Sequence, residues 1–362
     1  MESDWHCDFD SDPEYDDLWN VIIMRRTKEI RSRPKFFKLY DDKDFRDRFW
    51  ISKKTAWNVL DCIRLQIEHK TKWNHALSPE QMLLLTLRFY ATGSMLRTVG
   101  DLLGVSQSTV SRVITVVSHH IAQLKDHHIY MPKTEIDLKK SQRDFFKLAK
   151  FPRVIAAIDC PHVKIISPGG EDAELFRNRK GIFSINVQTL CDSNLRIIDI
   201  VARWPGSTHD ATIFRNSQIL CRLESGEFGS GIVVADSGYE NNHFVIMPLM
   251  HVNTSAENLF KESHIRTRNC IERSYGVWKR RFPVLSLGLR LHLAKTQSII
   301  VATAVLHNIC CNNRDIMAPP LSNEIEDVVN NMINIPNNRN AESHTINNVT
   351  RKCLIDNYFS LL

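Results

Sequence analysis

Across residues 45–128, apolar side chains recur at helical spacing, glycines are few and no alternating run appears. That pattern predicts an all-helical region. Ser78-Pro79-Glu80-Gln81 frames one helix start as a capping box with proline in the first turn, ahead of Met82, Leu83, Leu84, Leu85 and Leu87. Residues 96–103 form a further helical segment that ends at Gly104, and Ser106 caps the next, which begins Gln107-Ser108-Thr109-Val110-Ser111-Arg112-Val113-Ile114. This is the outline of a helix-turn-helix in which Gln107, Ser111 and Arg112 stand exposed near a helix N-terminus, where side chains reach base edges or phosphates. The same outline suits an ordinary helical hairpin.

The period then changes. Residues 128–150 are polar and Lys-rich and read as a separator, after which short apolar runs occupy 154–158, 163–166, 182–190, 197–204, 232–235 and 245–249. Their lengths and the Asp192-Ser193-Asn194 turn predict strands, with helices over 211–220 and 263–282, the latter stopped by Pro283. The order of elements predicts an α/β fold: a mixed sheet with flanking helices, preceded by the all-α helix-turn-helix region. The expected divisions are an acidic disordered tail over 1–24, the helical domain over 25–145, the sheet domain over 150–311 and a polar, Asn-rich, mobile tail over 312–362.

Composition narrows the function. The chain has 362 residues, enough for two ordinary domains, and 43% of them are hydrophobic, enough for a core in each. The longest apolar run, 299–306, is far short of the ~20 residues of a membrane span, and the acidic start is unlike a signal peptide. The expectation is a protein without membrane or secretory segments. Nine cysteines include no CxxC pair, which disfavours a zinc module and a disulfide scaffold. The net charge of +6 understates the basicity of the body, because eight acids between Glu2 and Asp17 precede the first cation, Arg25. Without them 47 basic residues face 33 acidic ones, a balance of +14 that suits nucleic acid as partner. Arg25, Arg26, Lys28, Arg31, Arg33 and Lys35 read as a phosphate-contacting arm, a nuclear localisation signal or a solvated linker.

Three acids stand where apolar elements end. Asp159 follows Val-Ile-Ala-Ala-Ile, and Asp236 follows Ile-Val-Val-Ala. Carboxylates at the C-terminal ends of buried strands occupy the usual ligand position of an open sheet. If the two strands are neighbours, their like charges call for a cation between them, and oxygen-only ligands select magnesium or manganese. Glu272 lies on a helix whose inward face is marked by Ile271, Tyr275, Val277, Trp278 and Phe282. Arg266, Arg268, Arg273, Lys279, Arg280 and Arg281 line the same helix, and acids holding metals inside a basic surround suit phosphodiester cleavage. Asp210, at a predicted helix start after Trp204-Pro205-Gly206-Ser207-Thr208-His209, reads first as a cap, with reach to a metal as the second reading.

Taken together, Ala-Ile-Asp159-Cys-Pro-His, Asn-Arg-Lys180-Gly-Ile-Phe-Ser-Ile-Asn-Val-Gln, Trp204-Pro-Gly-Ser-Thr-His-Asp210, Ala-Asp236-Ser-Gly-Tyr, Ile-Glu272-Arg-Ser-Tyr-Gly and Val-Leu306-His-Asn resemble the PIF/Harbinger superfamily of DDE transposases and the nucleases derived from them. The resemblance runs from about residue 45 to about 312. It implies a ribonuclease H-like core, with Asp159, Asp236 and Glu272 as the catalytic triad and Asp210 as a further acid of the metal shell. It also implies DNA cutting with Mg or Mn as cofactor, by hydrolysis or strand transfer, a separate Myb-like protein partner, a homodimer and residence in the nucleus, with the cytoplasm as alternative. Lys180 joins the expected DNA track. Two departures are small: Cys160 stands where glycine is frequent, and Glu240-Asn241 where proline is frequent. The rival expectation is a catalytically silent DNA-binding or adaptor protein; a phosphatase of small substrates fits the Arg-rich cleft less well.

Overall fold

The computed structural model describes residues 32–69, 71, 75–315 and 349–362; the acidic segment 1–24 and most of the basic stretch after it lie outside them. The helical region comprises α1 (Phe36–Leu39), α2 (Asp42–Phe49), α3 (Lys53–Ile67), α4 (Pro79–Thr92), α5 (Leu96–Asp101), α6 (Gln107–Gln123), α7 (Lys125–His128) and α8 (Glu135–Ala149). The capping box forms as the sequence predicts: the Ser78 hydroxyl accepts from the Gln81 amide, and the Gln81 side chain accepts from the Ser78 amide. Ser106 likewise caps α6 through the Thr109 amide. The stretch expected to be a separator is instead a 15-residue helix, α8. It has one fully buried apolar anchor, Phe145, and the Ser141 hydroxyl donates to the Ile155 carbonyl of the sheet.

The strands are β1 (Val154–Asp159), β2 (His162–Lys164), β3 (Ser184–Cys191), β4 (Ile197–Pro205), β5 (Ile232–Val234) and β6 (Val245–Ile246). They make one mixed sheet: β3 pairs antiparallel with β4 on one edge and with β1 and β2 on the other, while β5 runs parallel to β1 and β6 parallel to β5. The register sets Ala157 opposite Val234. Two residues further along each strand direction stand Asp159 and Asp236, so both acids leave the sheet at the same level from adjacent parallel strands.

After the sheet and between its strands come α9 (Asp210–Arg215), α10 (Gln218–Glu224), α11 (Ser255–Arg281), α12 (Val284–Leu287), α13 (Leu293–Asn312) and α14 (Val349–Asn357). The predicted helix over 211–220 is two short helices broken at Asn216-Ser217. Helix α11 starts earlier than the sequence reading placed it, at a second capping box formed by Thr254 and Glu257. The described residues from Pro34 onward form one unit. One cluster of buried apolar side chains runs from Phe45, Leu60 and Leu83 through Val117 and Leu306 to Val154, Ile185 and Trp278. Helix α13 joins its halves by packing against both α6 and β4. A second cluster, including Ile155, Ile158, Leu190, Ile213 and Phe244, fills the other face of the sheet.

The end of the chain corrects another expectation. Residues 349–362, read as part of a mobile tail, form α14 and a final turn in which Leu354 and Phe359 are buried. Phe359 packs against Phe151 and Phe260. Among the described residues no helix is long and apolar enough to cross a membrane.

Candidate metal centre

Asp159 and Asp236 enter the site from the ends of β1 and β5. Asp210 enters from the corner between β4 and α9, and that corner is built by close packing. At Gly206 a Cβ would fall 2.3 Å from Ser184 Oγ and 2.6 Å from the Phe176 carbonyl oxygen, so only glycine lets the chain turn against β3. The turn delivers the Thr208 carbonyl and Asp210 Oδ1 to one donor, Asn186 Nδ2, at 2.9 and 3.0 Å. Oδ1 of the same amide is buried without a hydrogen-bond partner. Asp210 is therefore not the cap of α9: His209 holds the N-cap position, and Asp210 is the first helical residue.

One carboxylate oxygen from each of Asp159, Asp210 and Asp236 lies within 4.8 Å of the others. Backbone amides hold two of them, Cys160 N–H to Asp159 Oδ1 at 2.8 Å and Gly238 N–H to Asp236 Oδ1 at 2.9 Å. Gly238 also keeps the space between the acids open, since a Cβ there would stand 3.1 Å from Asp236 Oδ1 and 3.5 Å from Asp210 Oδ2. Burial pushes the Asp159 carboxyl up to about 7; the charge of Arg268 opposes this, and Glu272 and Asp236 add to it. Asp210 is likewise raised by burial, against the hydrogen bond from Asn186 and with the charge of Asp236. Three convergent hard oxygen donors, two of them strained toward protonation, fit a divalent cation of the magnesium or manganese kind.

Glu272 lies beside this set rather than within it. It projects from α11 and accepts from Arg268 Nη2 at 3.1 Å, while Arg268 Nη1 lies 3.8 Å from Asp159 Oδ2. Among the described residues the converging acids are thus Asp159, Asp210 and Asp236, with Glu272 joined to them through an arginine.

The expected DNA-contacting residues divide. Lys180, Arg266 and Arg273 are exposed and Lys279 and Arg280 are half-buried. Burial holds the His162 imidazole below the usual range; the charge of Asp210 opposes this, and those of Lys279, Lys180 and Arg179 add to it, which places the three cations around this ring. Burial lowers the Lys279 amine, and Asp159 and Glu272 counter it, which places this lysine beside the acids. Arg266 pairs with Glu262. Two arginines leave the expected track. Arg281 is 2% exposed and donates to the Asp315 carbonyl, so it belongs to the core. Arg268 is bound to carboxylates inside the site. In the helical region Gln107 and Arg112 are exposed, whereas Ser111 is half-buried and accepts from Lys295 of α13 at 3.2 Å. Ser111 therefore faces a neighbouring helix, not solvent.

Several residues with a part in the site were missed in sequence. Asn178 folds the Lys180 turn by accepting from the amides of Lys180 and Ile182, and its Nδ2 donates to Ser184 Oγ, as His162 Nδ1 pairs with the same hydroxyl. Arg179 donates to His209 Nδ1 at 2.6 Å, tying that turn to the Asp210 corner. Thr189, opposite Asp159 in the β1–β3 ladder, pairs its hydroxyl with that of Tyr275 at 2.6 Å and so fixes α11 against the sheet. Asn186 held the signal, because a polar residue in a strand with eight buried positions calls for a partner, and its amide nitrogen finds Thr208 and Asp210, whereas Gln188 in the same strand has no hydrogen-bond partner for its side-chain amide.

Residues 158–308 match the model of a family described as DDE superfamily endonuclease. A protein of Rattus norvegicus named "Putative nuclease HARBI1" is 30% identical over 296 residues, covering 80% of this chain and 84% of that protein. Its counterpart in Homo sapiens is 29% identical over the same shares. "Protein ALP1-like" of Arabidopsis thaliana is 24% identical, over 76% of this chain and 72% of that protein. No solved structure matches the chain.

Proposed function

The chain belongs to the HARBI1 family of Harbinger transposase-derived nucleases, and from that premise we propose that it is a divalent-metal-dependent nuclease acting on DNA in the nucleus, built on a ribonuclease H-like core. The observation that carries the reading is the convergence of Asp159, Asp210 and Asp236 within 4.8 Å at the end of two parallel strands. An oxygen-only ligand set of this kind suits magnesium or manganese. A divalent ion held by Asp159, Asp210 and Asp236 would activate a water, or the 3′ hydroxyl of a DNA strand, as nucleophile and would offset charge on the leaving oxygen.

The protein's own contribution is position and charge. Asn186 fixes Asp210, Gly238 N–H fixes Asp236 and Cys160 N–H fixes Asp159, so that each carboxylate arrives with one oxygen committed and another oriented. Lys180, Arg179 and Lys279, around His162, supply cations for the phosphates that flank the cleaved bond. Arg273 and Arg266 extend the positive surface along α11. Gln107 and Arg112 at the start of α6 are a second place for DNA contact, set at a helix N-terminus as in helix-turn-helix readers.

The test is nicking of duplex DNA in Mn²⁺, with chelator as control and Asp236→Asn alongside. Metal-dependent nicking by the wild-type chain, abolished in Asp236→Asn with DNA binding retained, supports the nuclease. Binding by both proteins without nicking by either overturns it in favour of a DNA-binding protein with a silent core.

A further inference from the structure

Arg268 differs from every other cation near the site. Its side chain is 15% exposed, and its guanidinium reaches both Asp159, which is shared with the three-aspartate cluster, and Glu272, which stands outside that cluster. A guanidinium keeps its charge at any pH at which proteins fold. It therefore acts as a permanent counter-ion between two carboxylates. Two-metal sites place their ions roughly 3.5–4 Å apart, and the carboxylate that serves both ions must be common to two ligand sets. Asp159 is the residue in that position here, with Asp210 and Asp236 on one set and Glu272 as the remaining acid.

We propose that Arg268 occupies the place of a second divalent cation between Asp159 and Glu272, and that Glu272 becomes a ligand only when Arg268 lets go. This rests on the nuclease reading above. The natural acceptor for the released guanidinium is a DNA phosphate, because its planar fork matches phosphate as well as carboxylate. Arg268 and Glu272 are one turn apart on α11, so release needs side-chain rotation and no movement of the helix. Lys279, close enough for its charge to be felt by both Asp159 and Glu272, remains beside them after release. The consequence is a protein that holds one ion alone and assembles the full site only on its substrate.

The experiment counts bound Mn²⁺ on the full chain by electron paramagnetic resonance, without DNA. The proposal predicts one ion for the wild type, two for Arg268→Gln, and one again for the double variant Arg268→Gln/Glu272→Gln. It also predicts that Glu272→Gln alone leaves Mn²⁺ affinity within about twofold of the wild type, so that a larger loss overturns it even if Arg268→Gln does not fold. Two ions on the wild type, one ion on a folded Arg268→Gln, or a tenfold loss of affinity in Glu272→Gln each overturns the gate while leaving the metal centre intact. No ion on the wild type removes the metal centre itself, and the gate with it.

Discussion

Asp159 feels the charges of Arg268, Glu272 and Asp236, and its behaviour should report on them. Its carboxyl is raised to about 7, first by burial and then by Glu272 and Asp236, despite Arg268. A metal must displace that proton, so apparent Mn²⁺ affinity should rise about tenfold per pH unit below 7 and level off above it; titrations between pH 5.5 and 8 measure this. The sign for stability is opposite. A carboxyl whose folded value exceeds its unfolded one favours the folded state at low pH, and the metal-free protein loses that contribution as pH rises from about 4 through about 7. Gly238 offers a separate residue-scale test. A methyl group there would stand 3.1 Å from Asp236 Oδ1 and 3.5 Å from Asp210 Oδ2. Gly238→Ala should weaken Mn²⁺ binding about ten- to a hundredfold, in the range of losses seen when outer-shell support is removed, and circular dichroism should show the fold unchanged. In the sequence, Asp159 and Asp236 were legible because each ends a short apolar run. Asp210 was legible as a metal ligand only through the family resemblance, since an acid at a helix start looks the same whether it caps the helix or faces a metal. The difference is made by Asn186, 24 residues upstream and fully buried.

At the scale of elements, the site depends on how helices are fastened to the sheet. Asn308 of α13 accepts from the Ile197 amide and donates to the Ile197 carbonyl and the His128 carbonyl, so one side chain holds the start of β4 and anchors the end of α7 as well. His307 beside it pairs with the Leu195 carbonyl. This gives the Val-Leu306-His-Asn motif a structural meaning. Each buried group left without a partner costs about 1–3 kcal/mol, so Asn308→Ala should destabilise the protein by about 3 kcal/mol in urea unfolding without touching the acids. Gly206→Ala should cost about 1–3 kcal/mol through overpacking and, because the same corner carries Asp210, should also impair metal binding. The elements most visible in the sequence were those with clear periodicity or a capping box, such as α4. Helix α8 was hidden because most of its surface is charged and its anchorage lies in Phe145 and Ser141. The true start of α11 is set by Thr254 and Glu257, whereas the apolar pattern that predicts the helix begins at Ser263, about two turns later.

At the scale of the whole molecule, the helical region and the sheet share one core, with α13 between them. The sequence suggested two parts because periodicity changes near residue 150, yet the residues that join them, Tyr90 against Phe282 and Asp315 against the Ser52 amide, are far apart along the chain. Distant pairings of this kind leave no local pattern. The positive charge of the body also resolves only in three dimensions, since Arg281 is core and Arg268 is bound by acids, while Lys180 and Lys279 remain beside the cleft. Lys180→Ala and Lys279→Ala should each reduce the salt slope of DNA binding by about one, whereas Arg281→Ala should lower stability instead. The most direct test of the account is Mn²⁺-dependent nicking of duplex DNA by Asp210→Asn beside Asp236→Asn, with DNA binding measured for both. The three-aspartate centre predicts that both variants bind DNA and that neither nicks it; wild-type rates of nicking by Asp210→Asn, or nicking by the wild type in chelator, would contradict it.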